Sequence, residues 1–235
     1  MAKIINSFIL IILIINIMNI ILSYPRSGNH LTRFFIELLS EQPTFGCSCN
    51  TRDIPIYKNK FRNNIPFNID ENNINKDMCY YKYHDSPQID CKNLIFIIRN
   101  PREVLLRHNN YEMKYDNFDI YFQSLDYYLN FNGNKILFFY EDIITNKIDF
   151  VNKLYNFLEL SNNIKLEYVI NNIDFLYNES KNGTYRSWGD IISNSINYYY
   201  PKIINQHIKN KFDKYLSEKL SNPNYSFIVD KYNIC

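Results

Sequence analysis

The feature that most constrains the fold is an apolar run, Ile17 to Leu22, that leads directly into the segment Ser23–His30. The next residues, Leu31 to Leu39, carry apolar side chains at helical spacing. A strand, a tight loop and a helix start in this order aim backbone N–H groups and the positive end of a helix dipole at one point. The segment therefore predicts an anion site, where Arg26 supplies a forked donor and Gly28 lets the backbone approach closely.

Other apolar runs predict buried strands at Leu94 to Ile98 and Lys135 to Tyr140, and a shorter strand at Cys79 to Tyr83. Helical spacing predicts helices over Asn29–Glu41, after Pro101, and over Asn117–Phe131, Ile148–Leu158 and Lys202–Leu220. Apolar strands that alternate with amphipathic helices predict an α/β fold with a mostly parallel sheet.

Polar groups follow three of these strands, which predicts a single site. The loop after Leu22, the side chain of Arg99 and the pair Glu141-Asp142 all lie at carboxyl ends of predicted strands. Ligands of parallel sheets bind at that edge. The segment Thr44 to Asp77 has weak periodicity and is predicted to be irregular. Irregular segments of this length in a compact domain usually have a function, such as covering a ligand.

Composition narrows the class of protein. A chain of 235 residues with 46% hydrophobic side chains suits one folded domain, and a net charge of +2 argues against nucleic acid as the main partner. The five cysteines are unevenly spaced and the four histidines complete no zinc motif, so we expect no metal site. Free thiols in a reducing, cytoplasmic compartment are favoured; one disulfide near Cys47 and Cys49 is the alternative.

The N-terminal extension, Met1 to Asn16, allows two interpretations. Lys3 before a long apolar run is typical of a signal peptide or a short membrane anchor. The run continues into the predicted first strand, so any anchor must end near Ile15 and is short for a bilayer. Membrane association or a secretory route through residues 1–16 is therefore the alternative to a cytoplasmic protein whose single domain spans residues 17–235.

The motifs of this chain resemble those of the sulfotransferase family, whose members use 3′-phosphoadenosine 5′-phosphosulfate (PAPS). The segment Ser23–Asn29 resembles the family's 5′-phosphosulfate loop, Y-P-[KR]-S-G-[TN], and Arg99–Glu103 resembles its 3′-phosphate motif, R-[DN]-P-[KR]-[DE]. Tyr140–Asp142 resembles a later Y-E-D, and Lys82–His84 resembles the K-x-H segment that supplies a base. Lys181-Asn182-Gly183, followed by Trp188, faintly resembles the late R-K-G…W segment.

The resemblance covers roughly Ile17 to Asp190 and implies a three-layer αβα sandwich of the P-loop NTPase-like sulfotransferase type. Two positions depart from the family pattern. Arg107 stands where a serine usually follows the 3′-phosphate motif, and Leu31 stands where a tryptophan often follows the first loop. The second change removes one candidate stacking surface for adenine.

The resemblance also implies residue roles. His84 is the expected general base, with Arg26 at the leaving oxygen and Lys82 at the sulfuryl oxygens. The residues expected to bind PAPS are Arg26, Ser27, Gly28, Asn29, His30, Arg99 and Arg107. The expected acceptor is a small molecule or glycan with a hydroxyl or amine, and the chemistry calls for no metal.

Two alternatives remain open at this level. A small-molecule kinase on a related fold would need Mg²⁺ ligands and normally the Walker pair Lys-Ser/Thr, which the loop lacks. A nucleotide-binding module of the same fold without turnover is the second alternative, and the changes at Arg107 and Leu31 are what allow it.

Overall fold

A computed structural model describes residues 18–46, 55–58, 65–87, 89–181 and 205–234. Within these residues one sheet has the strand order β2-β3-β1-β4-β5, and all four pairings are parallel. The strands are β1 Met18–Ser23, β2 Thr44–Phe45, β3 Tyr80–Tyr83, β4 Cys91–Ile98 and β5 Asn134–Phe139. The predicted α/β fold is confirmed, and β1 lies at the centre of the sheet.

Helices cover both faces of the sheet. In chain order the described helices are α1 Asn29–Ser40, α2 Pro101–His108, α3 Tyr115–Asn130, α4 Tyr140–Thr145, α5 Lys147–Phe157, α6 Asn163–Asn171, α7 Ile173–Lys181, α8 Gln206–Leu220 and α9 Ser226–Tyr232. Side chains of β1 alternate between two apolar clusters. Ile20 and Leu22 pack with α2, α3, α8 and α9, whereas Ile21 packs with α1, α5, α6 and α7. The result is a three-layer αβα sandwich.

Most predicted elements are present, with three differences. Tyr140 does not end a strand but begins helix α4. The segment predicted as irregular holds the short strand β2 and three 3₁₀ turns among its described residues. The sequence does not predict α6 and α7, because the exposed apolar residues Ile164 and Phe175 obscure their amphipathic pattern. It does not predict α9 either, because seven residues are too few to show a helical period.

A row of asparagine side chains crosses the three neighbouring strands β1, β4 and β5. The side chain of Asn93 donates to the side-chain oxygen of Asn19 (2.8 Å), and Asn134 donates to Asn93 (2.9 Å). These residues are also register partners across β1, β4 and β5. A register shift would break these hydrogen bonds. The asparagine row therefore favours the register in which the carboxyl ends of the three strands lie at one edge of the sheet.

A buried carboxylate ties α1 to the segment that follows it. Glu37 is fully buried, and its oxygens accept hydrogen bonds from the backbone N–H groups of Thr44 (3.0 Å), Ile56 (2.8 Å) and Tyr57 (2.7 Å). The Thr44 hydroxyl donates to the same carboxylate at 2.5 Å. One side chain thereby holds β2 and the turn at residues 55–58 against the helix.

We expect the substitution Glu37→Gln to lower the free energy of unfolding by about 2 kcal/mol, because the amide NH₂ would face buried N–H donors. Urea denaturation monitored by circular dichroism measures this change. The matched control is Glu167→Gln, which alters an exposed glutamate of α6 and should stay within about 0.5 kcal/mol of the wild type. Equal effects of the two substitutions would contradict the assignment.

Candidate active site

The loop between β1 and α1 has two residues in the left-handed backbone region. Arg26 and Gly28 have left-handed backbone angles, with φ of 71° and 100°. The Ser27 N–H donates to the Tyr24 carbonyl oxygen (3.2 Å), which closes the turn. Asn29 then begins α1 and donates its side-chain amide to the Ser23 hydroxyl (3.1 Å). The loop is thus a compact turn directly before a helix N-terminus.

Gly28 is packed against Tyr140, the first residue of α4. A Cβ atom on Gly28 would lie 2.5 Å from Cδ2 of Tyr140. The Tyr140 ring in turn carries the Arg99 guanidinium at 4.2 Å from its centroid. Positive φ and this crowding together restrict position 28 to glycine.

Arg99 connects the loop to the end of β4. Its Nη1–H group donates to the Arg26 carbonyl oxygen (3.1 Å), while Nε donates to Glu103 Oε2 (3.1 Å) and Nη2 contacts Oε1 of the same carboxylate. Glu103 also accepts from Arg107 Nη1 (3.2 Å). Arg99 at the end of β4, Glu103 in the first turn of α2 and Arg107 in its last turn thereby form an Arg–Glu–Arg cluster next to the loop, in which Arg99 and Glu103 are buried and Arg107 is half-buried.

His84 has a defined tautomer. Its Nδ1 lies 2.7 Å from the carbonyl oxygen of Ser23. A carbonyl oxygen only accepts, so Nδ1 carries the proton and Nε2 carries the basic lone pair. The last residue of β1 therefore orients an imidazole that follows the neighbouring strand β3.

A cavity of about 340 Å³ lies at this edge of the sheet. It brings together eight of the nine predicted site residues: Arg26, Gly28, Asn29, His30, Lys82, His84, Arg99 and Arg107. Ser27 is the exception, since its side chain is fully buried and does not line the cavity. Three buried side-chain atoms have no hydrogen-bond partner among the described residues: the Ser27 hydroxyl, Asn29 Oδ1 and Thr32 Oγ1.

Six further residues line the cavity: Leu31, Arg33, Tyr140, Tyr177, Ser180 and Lys181. Leu31, Tyr140 and Lys181 stand at positions of the family motifs, whereas no motif in the sequence indicates Arg33, Tyr177 and Ser180. The resemblance assigns Tyr140 no role in ligand binding, and Tyr177 and Ser180 lie on helix α7, which the sequence does not predict. Burial raises the pKa of Tyr177 to about 12, so its hydroxyl is neutral at physiological pH. The position of Tyr140 directly after β5 was the one available signal.

The cavity is strongly cationic. Six of its lining residues are Arg or Lys, and none of the described residues that line it is Asp or Glu. Glu103, which does not line the cavity, partly neutralises the positive charge of Arg99 and Arg107. Lining of this kind suits a ligand with several negative charges.

Several expectations fall outside the described residues. These are the extension at residues 1–16, Cys47 and Cys49, and the late segment with Asn182, Gly183 and Trp188. Within the described ranges, Cys79 and Cys91 are free thiols, and no group of three or more His, Cys, Asp or Glu side chains is arranged to hold a metal ion. No helix in those ranges is long and apolar enough to cross a membrane.

No protein-family model matches this chain, and no curated protein matches its sequence. Among solved structures, the chain is similar to a crystal structure of mouse sulfotransferase SULT7A1 complexed with PAP. The TM-score is 0.54 at 16% sequence identity, over 92% of this chain and 88% of that chain. At this identity the similarity concerns the fold. The chain therefore has a sulfotransferase-like α/β fold, with a five-stranded parallel sheet flanked by helices.

Proposed function

We propose that this protein is a sulfotransferase that moves a sulfuryl group from PAPS to a hydroxyl or amine acceptor. The observation that carries the proposal is the convergence of eight predicted site residues on one cationic cavity. They come from the loop after β1 and the start of α1, from β3 and its end, and from the end of β4 and helix α2. The fold shared with SULT7A1 supports the same reaction class.

The residues present fit a phosphosulfate nucleotide. Gly28 and Asn29 line the cavity at the start of α1, and the buried Ser27 hydroxyl in the same turn has no hydrogen-bond partner among the described residues. The two arginines of the Arg–Glu–Arg cluster, Arg99 and Arg107, suit a 3′-phosphate because guanidinium groups bind phosphate oxygens in a forked geometry. In this assignment Arg107 takes the place of the family's serine.

Aromatic side chains supply a candidate surface for the purine. Tyr140 and Tyr177 both line the cavity. Bases stack on aromatic rings with little dependence on sequence context. We propose that these tyrosines replace the stacking surface that Leu31 lacks.

The proposed reaction is a direct transfer. His84 Nε2 removes the proton of the acceptor while the acceptor oxygen or nitrogen forms a bond to sulfur. The bond between sulfur and the bridging oxygen breaks, and its electron pair remains on the phosphate oxygen of the nucleotide product. Arg26 stabilises that oxygen and Lys82 neutralises the sulfuryl oxygens, so charge stabilisation and positioning supply most of the catalysis.

Ligand-dependent thermal stability tests the nucleotide assignment. Adenosine 3′,5′-bisphosphate at a hundredfold excess over Kd should stabilise the protein by about 2.7 kcal/mol. For a chain of this size that corresponds to a rise in Tm of about 5–10 °C. ATP with Mg²⁺ should give a much smaller shift. Stabilisation by ATP-Mg²⁺ alone would contradict the proposal and favour a kinase.

A further inference from the structure

The C-terminal helix is joined to the candidate site through one buried carboxylate. Glu141 lies in the first turn of α4, directly after Tyr140. Its Oε1 accepts from the backbone N–H of Asn100 (3.1 Å), and its Oε2 accepts from the hydroxyl of Tyr232 (2.7 Å). Tyr232 is the last residue of α9 and is 5% exposed. Tyr232 of α9 thus donates a hydrogen bond to Glu141, the residue directly after Tyr140 of the cavity lining.

The peptide unit that Glu141 holds is the one that joins Arg99 to Asn100. The N–H of this unit donates to Glu141, and its carbonyl oxygen accepts from the Tyr121 hydroxyl (3.2 Å). Asn100 also accepts from the Arg102 N–H (2.9 Å) as the cap of α2. Because both sides of one peptide plane are fixed, the direction in which the Arg99 side chain leaves the backbone is fixed as well.

We propose that Tyr232 is a positioning residue for the 3′-phosphate site and acts through Glu141 and the Arg99–Asn100 peptide. This inference rests on the proposed function, since it assigns Arg99 to the 3′-phosphate. The Tyr232 hydroxyl and the Asn100 N–H donate to different oxygens of the Glu141 carboxylate. Loss of the hydroxyl leaves a buried carboxylate oxygen without that donor, and the carboxylate can then rotate away from Asn100.

The same turn has a second link to α9, which supports the coupling. Lys231 Nζ lies 2.5 Å from Oδ1 of Asp142, the residue after Glu141. This pair is partly exposed, so its contribution is small. The Tyr232–Glu141 bond is buried and is therefore the one whose loss should be measurable.

The test is the substitution Tyr232→Phe, which keeps the ring that packs edge-on against Phe139 (centroids 5.9 Å apart) and removes only the hydroxyl. Tyr225→Phe is the matched control, because it removes a buried tyrosine's bond to Asp126 (2.5 Å) in the same C-terminal region without a contact to Glu141. Calorimetric titration gives the Kd values for adenosine 3′,5′-bisphosphate and for AMP, which lacks the 3′-phosphate.

We expect Tyr232→Phe to raise the Kd for adenosine 3′,5′-bisphosphate about tenfold and the Kd for AMP less than about twofold. Tyr225→Phe should change neither. Glu141→Gln should lower the preference for the bisphosphate in the same way. An equal loss for both nucleotides, or equal effects of Tyr232→Phe and Tyr225→Phe, would overturn this inference and leave the proposed function intact. A wild-type protein that does not bind the bisphosphate would overturn both.

Discussion

Replacing His84 with asparagine is expected to lower the rate of sulfuryl transfer by about 10²- to 10⁴-fold, the range that a positioned general base contributes. The asparagine amide nitrogen occupies nearly the place of Nδ1, so the donation to the Ser23 carbonyl oxygen is retained. What is lost is the basic lone pair of Nε2. The substitution therefore separates the base from the hydrogen bond that orients it.

Single-turnover rates with radiolabelled donor measure this effect, while the Kd for adenosine 3′,5′-bisphosphate should stay within about twofold of the wild type. His207→Asn is the control, because His207 is exposed at the start of α8. A rate for His84→Asn within about threefold of the wild type would show that another group takes the proton.

Replacing Gly28 with alanine is expected to weaken nucleotide binding strongly. A left-handed backbone angle costs a residue with a Cβ about 1–2 kcal/mol, and the new methyl group would lie 2.5 Å from the Tyr140 ring. That ring is held by Arg99, so relief of the contact moves a residue of the Arg–Glu–Arg cluster. We expect the affinity for adenosine 3′,5′-bisphosphate to fall about 10- to 100-fold.

Gly133→Ala is the control for crowding alone. A Cβ atom there would also lie 2.5 Å from an aromatic carbon, Cζ of Phe131, but the residue lies in the turn before β5 and does not line the cavity. It should lower stability and leave nucleotide affinity unchanged. If both alanine variants bound the bisphosphate as tightly as the wild type, Gly28 would have no role in the ligand site.

The sheet and the site edge could be predicted because their signals are local. A continuous apolar run such as Leu94–Ile98 has few alternatives to a buried strand, and the residues that follow such strands meet at one edge in a parallel sheet. The convergence of Arg26, His84 and Arg99 on one cavity follows from that geometry.

What could not be predicted depends on tertiary contacts. Strand β2 has two residues, too few to show a period, and exists through its pairing with β3. Tyr177 reaches the cavity from a helix whose exposed Phe175 obscures its pattern. The bond between Tyr232 and Glu141 joins residues 91 positions apart, and sequence spacing carries no information on such a pair.

Transfer of label from radiolabelled PAPS to a panel of phenols, sugars and lipid alcohols tests the central claim most directly. We predict that at least one acceptor class becomes labelled in proportion to the amount of protein. The same reaction should be inhibited by adenosine 3′,5′-bisphosphate and nearly abolished in His84→Asn. A protein that binds the bisphosphate but labels no acceptor would contradict the claim and identify a nucleotide-binding module without turnover.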